Sequence, residues 1–280
     1  MGRGGLLAFA VWLAVGRPAF ATDFLIADIG HSGARPSVND FSADVDSVNQ
    51  RLNTVQHLKN SLSPEMLTGF RLFIYVNKAA TGPFAQRMYV VEKTDDGDLA
   101  LLYDWAVSTG RDGNERDTHG QVHSSFTPVG YYELDPTRLY VKYVSSHWGE
   151  PMPYAMFFNW RPKGLKTGLA IHGVDGGSVS NLGARASAGC VRLSAENAGV
   201  LFALIRSRFR GPMPRLIYRV GDTGVSSLGL LLHNAKGRLE RVNGYSVLIL
   251  IDNYGDKIPA TTSTELAASG RISEPRHLER

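Results

Sequence analysis

Residues 88–107 run Met88-Tyr89-Val90-Val91-Glu92-Lys93-Thr94-Asp95-Asp96-Gly97-Asp98-Leu99-Ala100-Leu101-Leu102-Tyr103-Asp104-Trp105-Ala106-Val107. Two runs rich in apolar, β-branched and aromatic residues flank Asp95-Asp96-Gly97-Asp98, the composition of two strands joined by a hairpin turn. The pattern continues outward. Phe73-Ile74-Tyr75-Val76 lies upstream; Val129 to Leu134, Leu139 to Val144, Met156-Phe157-Phe158, Leu169-Ala170-Ile171, Leu216-Ile217-Tyr218 and Tyr245 to Ile251 lie downstream. Many short strands at this spacing predict a mainly β fold, an antiparallel sandwich or barrel rather than a parallel sheet with crossover helices.

Helical patterns flank and interrupt these strands. Between Asp23 and Gly69 the residues are polar and helix-tolerant, and Val45, Val48, Leu52, Val55 and Leu58 recur every three or four positions, which predicts an amphipathic packing arm. A second helix is predicted after Ser194, its cap, with Glu196 in the first turn. Val200, Leu201, Leu204 and Ile205 form its apolar stripe, Arg206, Arg208 and Arg210 suit its C-terminal dipole, and Gly211-Pro212 ends it. Thr261 to Arg280 is polar and reads as a frayed, disordered tail.

The chain of 280 residues, 43% hydrophobic and 20% charged, is globular in composition and long enough for one large β-rich domain with extensions. Its start reads as an export leader. Met1-Gly2-Arg3 is positive, Leu6 to Val15 is apolar, and Ala19-Phe20-Ala21 has the small-x-small pattern of a processing site, so cleavage is expected after Ala21; an uncleaved anchor is the alternative. No membrane span is expected after cleavage, because the apolar run is too short and no later segment is longer. The formal charge of +4 includes Arg3 and Arg17 of this leader. The remaining balance is too mild, and too free of basic-aromatic runs, for a nucleic-acid binder. An exported chain with a single cysteine closes no internal disulfide, so Cys190 needs another role.

Cys190 lies in Ser187-Ala188-Gly189-Cys190-Val191-Arg192-Leu193, after a Gly-rich loop and immediately before the capped helix. Main-chain amides at a loop-to-helix junction can stabilise a thiolate and donate to an oxyanion, and Gly189 lets a substrate approach closely. A thiol nucleophile needs a base, and His172 offers one at the end of the run Ala170-Ile171-His172-Gly173. The competing reading of an isolated cysteine is a small buried hydrophobe.

His172-Gly173, a loop to Ala186, and then Ser187-x-Gly189-Cys190-hydrophobic-Arg192 resembles the catalytic pattern of L,D-transpeptidases, the YkuD-type cysteine enzymes of bacterial cell walls. Ser108-Thr109-Gly110 and Thr127-Pro128-Val129-Gly130 resemble two further features of that family, in the same order, so that the resemblance spans roughly Arg71 to Val220. It implies Cys190 as nucleophile, His172 as its base, the Gly173 carbonyl as orienter of the second imidazole nitrogen, and the amides of Ala188, Gly189 and Cys190 as oxyanion hole. Ala188 departs from the His that many members carry there. Arg192 is read either as partner for a substrate carboxylate or as a loop brace, and Ser187 and Tyr154 are candidate substrate contacts.

The resemblance further implies that the enzyme attacks a peptidoglycan tetrapeptide stem, releases D-Ala, holds the stem as a thioester and passes it to an amine. The acceptor is another stem peptide, giving a 3→3 cross-link, or a lysine of an outer-membrane lipoprotein; water would make the same site a hydrolase, an L,D-carboxypeptidase or a lipoprotein-releasing amidase. No metal or other cofactor is expected. The expected organisation is a leader at 1–21, a helical extension at 22–69, an L,D-transpeptidase-type β domain with its capped helix at 70–221, and a C-terminal extension at 222–280 with a strand at 245–251. Export implies a periplasmic location. A sortase-like protein, whose His and Arg lie further from the Cys, and a non-catalytic wall-binding protein are the rival readings.

Other residues carry weaker patterns. His119 and His123 stand four apart as metal-binding helical histidines do, but Gly120 and neighbouring Asp and Asn residues predict a loop, read as a substrate cover rather than a zinc site. His147-Trp148 could stack on substrate, although a structural aromatic is the commoner role. Asp175 is read as a turn residue before it is read as a third member of a triad.

Overall fold

The computed structural model describes residues 38–161, 164–218 and 227–255. The expected leader, the start of the N-terminal extension, the 221/222 boundary and the tail from Thr261 lie outside them. No helix among the described residues is long and apolar enough to cross a membrane. A compact unit extends from Asp46 onward, and strands dominate it.

One sheet has the order β3-β2-β1-β13-β6, built from β1 (Leu72–Asn77), β2 (Arg87–Lys93), β3 (Leu99–Ala106), β6 (Gly130–Tyr132) and β13 (Val247–Asp252). β2 and β3 form the hairpin predicted at 88–107, with a register shift between Val90 and Val91. The second sheet has the order β10-β9-β8-β7, from β7 (Leu134–Tyr140), β8 (Ala155–Phe158), β9 (Ala170–Val174) and β10 (Val191–Ser194). Most ladders are antiparallel, but β1 pairs with β13 and β9 with β10 in parallel. Each parallel pair joins strands separated by a long connection, as parallel geometry requires.

Both faces of β1 are buried, which explains its unbroken apolar run. Leu72, Ile74 and Val76 pack with Ile249 and Ile251 against Met156, Phe158, Ile171, Val191 and Leu193 of the second sheet and Leu201 and Ile205 of a helix, α3 (Ala195–Arg208). Phe73 and Tyr75 face the other way and meet Leu58 of α1 (Val38–Ser61), Met66 of α2 (Pro64–Gly69) and Leu62 between the two helices. The helical arm therefore covers one sheet face, with Val55 and Leu58 of the predicted stripe packed against it and the N-terminal part of that stripe turned away. Val48 and Leu52 are exposed, whereas Thr54 and Leu58 are buried. Polar contacts hold the arm as well: His57 Nε2 lies 2.9 Å from Asp252 Oδ2 at the end of β13, and its ring stacks on Tyr254 just beyond.

Three other expectations shift. Ser194 caps α3 through Asn197 N–H, as predicted, but the helix stops at Arg208, where buried Phe209 donates its N–H to Ile205 O. Gly211 and Pro212 then belong to β11 (Arg210–Pro214), paired with β12 (Arg241–Tyr245), and the predicted strand at Leu216 is a single bridge to Leu231. Val141 and Val144 are exposed beyond the end of β7, in a loop that turns back through a Val144–Pro151 bridge.

Candidate active site

β9 and β10 set the geometry. Their parallel register places Ile171 level with Val191 and His172 level with Arg192. Because side chains alternate, Ile171, Val191 and Leu193 enter the core while His172, Arg192 and the preceding Cys190 share the opposite face. Cys190 lies one position before Val191, so His172 is its diagonal neighbour across the ladder, a relation within reach of long side chains. Both line a cleft of ≈ 730 Å³, with Ala188 and Arg192 on the same wall and His123, His147 and Trp148 among the loop residues that complete it. Concave sites of this size suit a peptide-sized ligand.

Cys190 does not sit at the helix start predicted for it, because the four residues of β10 intervene before α3. Its loop is instead fixed by main-chain bonds and two motif residues. Arg192 N–H donates to Ser108 O and Ser108 N–H to Arg192 O; Ser187 N–H donates to Thr109 O. Thr127 Oγ1 accepts from Gly110 N–H at 2.8 Å and donates to Gly189 O at 2.6 Å. The Ser-Thr-Gly and Thr-Pro segments thus brace the cysteine loop directly. Gly110 is obligatory there, since a Cβ would lie 1.9 Å from Ser125 O. Gly189 has φ +114°, and a Cβ there would crowd Phe126 O and the Leu169 side chain.

Beneath this loop lies a buried polar network that no sequence pattern announced. Lys78 Nζ reaches Asp112 and Thr127 O and lies 3.8 Å from the centroid of the Phe126 ring. Gln86, buried with φ 51°, donates to the Lys78 and Ala79 carbonyls and accepts from Thr109 N–H. Single polar residues inside β-rich sequence look like surface positions, so only their burial reveals the role.

His172 Nδ1 lies 2.8 Å from Gly173 O. A carbonyl only accepts, so Nδ1 carries the proton and Nε2 keeps its lone pair in the neutral ring. Gly173 is itself pinned, since a Cβ would sit 2.7 Å from Ala195 Cα. Burial, assisted by the positive Arg192, lowers the imidazole to a pKa of about 4. Burial also raises the Cys190 thiol above its ordinary value, opposed by a hydrogen bond from Ala170 N–H and by Arg192. Sγ is turned toward Gly168 O at 3.6 Å. Both shifts favour a neutral thiol beside a neutral imidazole over the preformed thiolate that a helix terminus would have favoured.

A family model, the L,D-transpeptidase catalytic domain (YkuD), matches residues 73–227. The chain belongs to the L,D-transpeptidase catalytic domain family. Among curated proteins no significant match exists. Among solved structures the chain is similar to an L,D-transpeptidase of Xylanimonas cellulosilytica, with 15% identity over 65% of this chain and 61% of that one and a TM-score of 0.35. It is also similar to the L,D-transpeptidase from Mycobacterium smegmatis, with 17% identity over 66% and 59% of the two chains and a TM-score of 0.33. A third, from Stackebrandtia nassauensis, has 17% identity over 47% and 49% and a TM-score of 0.31. The matches span between about half and three-fifths of those chains.

Within this L,D-transpeptidase domain several predicted site residues take other places. Ser187 is fully buried; its hydroxyl donates to Cys190 O and accepts from Gly189 N–H, so it braces the loop instead of facing substrate. That same bond engages one of the three amides read as oxyanion donors. Ala188 and Cys190 N–H have no acceptor among the described residues. Tyr154, at φ 55°, packs on Phe202 and against Gly199 of α3, away from the cleft. Asp175 is exposed and precedes a short 3₁₀ turn at Gly176–Asn181, and Gly173 O occupies the imidazole nitrogen a third triad member would need. Arg192 pairs with Glu150 at 3.2 Å, a partner the sequence did not suggest, while its buried Nε has no partner among the described residues.

Proposed function

We propose that the chain is an exported, periplasmic cysteine L,D-transpeptidase acting on peptidoglycan stem peptides. The observation that carries this reading is the placement of Cys190 and His172 on one face of adjacent parallel strands in a single cleft, with the imidazole held in the tautomer that leaves Nε2 basic. Export follows from the Met1-to-Ala21 leader pattern.

The reaction starts with rotation of the Cys190 thiol from Gly168 O toward the ring. As Sγ bonds to the carbonyl carbon of the stem's L,D bond, Nε2 of His172 takes the thiol proton and the carbonyl oxygen becomes an oxyanion, held by the amides of Ala188 and Cys190. The tetrahedral species collapses, the C–N bond breaks, and His172 returns the proton to the departing D-Ala amine. A thioester remains. An acceptor amine loses a proton to His172 as it attacks, and Sγ leaves and is reprotonated. A second stem peptide or a lipoprotein lysine can supply that amine; water would give hydrolysis.

The test is incubation of the full chain with a disaccharide-tetrapeptide and mass spectrometry of the products. Dimer with released D-Ala supports transfer to a stem. Tripeptide alone supports the hydrolase, and an unchanged substrate with wild-type protein overturns both. Cys190→Ala and His172→Ala are expected to remove D-Ala release while leaving the fold intact.

A further inference from the structure

Two loops that line the cleft meet at Asp117. One carries the short hairpin of β4 (Asn114–Arg116) and β5 (Val122–Ser124), the other runs from Val141 to Pro151. Asp117 has a fully buried side chain. Its Oδ1 is fixed by the N–H groups of His119 and Gln121, both at 2.9 Å, and its Oδ2 lies 2.8 Å from His123 Nε2 and 3.3 Å from His147 Nδ1. The three ligand-type atoms all fall within 4.8 Å of one another. We propose that Asp117, His123 and His147 form a binding site for one divalent transition-metal ion, zinc by ligand type, that pins these two cleft loops together.

The chemistry of the donor set points this way. Two imidazoles and one carboxylate are the nitrogen and oxygen ligands zinc takes in open, three-residue sites. Zinc bonds of about 2.0–2.1 Å separate tetrahedral ligand atoms by roughly 3.3 Å, so the Asp117–His147 spacing of 3.3 Å already fits, the 2.8 Å between Asp117 Oδ2 and His123 Nε2 must open by about 0.5 Å, and the imidazoles need to close by at most about 1.5 Å. Locking Oδ1 with two backbone donors leaves Oδ2 aimed at the imidazoles, the outer-shell arrangement that orients a ligating carboxylate. The loops are also held in place before any ion arrives. Thr118 N–H and Oγ1 both donate to His147 O, and the His119 ring bonds Ser146 O. His119 therefore belongs to the scaffold, and the metal pair is His123 with His147, not the His119–His123 pair that sequence spacing singles out.

Cys190 and His172 are potential metal ligands too, so the test uses the full chain with Cys190→Ala. Metal-stripped protein is titrated with zinc chloride against a chromophoric chelator, and with cobalt for its absorption spectrum. One equivalent is expected to bind, with d–d bands of nitrogen and oxygen ligation. His147→Ala should weaken zinc at least tenfold, and His123→Ala with His147→Ala should abolish the stoichiometric site. These imidazoles are partly solvent-facing, so both variants should keep the wild-type circular dichroism, which is recorded for each. In the chain with Cys190 intact, zinc at one equivalent should also slow proteolysis within 111–125 and 141–151. Absence of binding in the Cys190→Ala chain overturns the proposal, as does unchanged affinity in the folded double-histidine variant.

Discussion

Arg192 stands directly across the β9–β10 ladder from His172. A guanidinium stays charged at every relevant pH, so the imidazole has a permanent cation as its strand neighbour and resists becoming one itself. Burial works in the same direction and is the larger cause. The arrangement keeps the base neutral and ready to accept a proton, while the same positive charge favours an anion forming on Cys190.

This has a consequence for stability. Free imidazole titrates near 6.5, the folded one near about 4. Between those values the unfolded chain binds the proton that the folded chain refuses, so stability rises with pH across the window. It is complete above 6.5 and falls on acidification toward 4, by on the order of 3 kcal/mol for the whole shift. Urea midpoints measured from pH 7 to pH 4 should show that decline. His172→Gln should flatten it, and an equal slope in the variant would place the acid sensitivity elsewhere.

The thiol follows the opposite trend. With its pKa raised by burial, alkylation of the resting protein by iodoacetamide should be slow in mild acid and should climb on the alkaline side of the ordinary thiol range. A rate already at its plateau near pH 6 would mean that a thiolate–imidazolium pair preexists and that the neutral resting pair is wrong.

Gly110 carries a packing prediction. Its missing side chain is the space occupied by Ser125 O, backbone rather than a movable side-chain end. Gly110→Ala should cost at least about 3 kcal/mol in denaturant unfolding, beyond ordinary overpacking, because neither partner can rotate away. Gly177, with open space around it and no left-handed φ, is the control: Gly177→Ala should stay within about 0.5 kcal/mol. Equal effects would show that the cysteine loop is more compliant than its hydrogen bonds indicate.

How much of this was legible in the sequence depends on whether the decisive interaction is local. The 88–107 hairpin announces itself because its turn residues and its apolar runs are contiguous. Ser194 as a cap is equally local, and Gly189 of the Ser187–Leu193 segment stands where the structure leaves little room for a Cβ. The arm's buried face was legible only in part: Val55 and Leu58 of the apolar stripe pack on the sheet, while Val48 and Leu52 stay exposed and the buried Thr54 carries no apolar signal. Nor was β10: four residues between a loop and a capped helix look like the helix's own approach, and only pairing with β9 makes them a strand. Asp117 with His123 and His147 lies deepest in this sense, since its members are spread over thirty positions of two loops and the nearest sequence spacing, His119 to His123, contains neither Asp117 nor His147.

Arg192 supplies the last prediction. Its side chain is mostly buried, one terminal nitrogen bonds Glu150, and its Nε has no partner among the described residues. Glu150 is itself largely exposed and is therefore a weak partner that a ligand carboxylate could replace. If the stem's carboxylate takes that position, the contact is a charge-assisted hydrogen bond of about 1.5–3 kcal/mol, or roughly ten- to a hundredfold in binding. Arg192→Ala should then raise KM for the tetrapeptide by that factor, and Arg192→Lys, which keeps charge but not the planar fork, should recover only part of it. Glu150→Gln should lower KM by freeing the guanidinium. A brace role predicts a different pattern: Arg192→Ala and Glu150→Gln would shift the unfolding midpoint in parallel and leave KM alone. Steady-state kinetics beside urea melts of the three variants separate the two, because a carboxylate site moves binding with and without its competitor in opposite directions, and a brace moves stability in the same one.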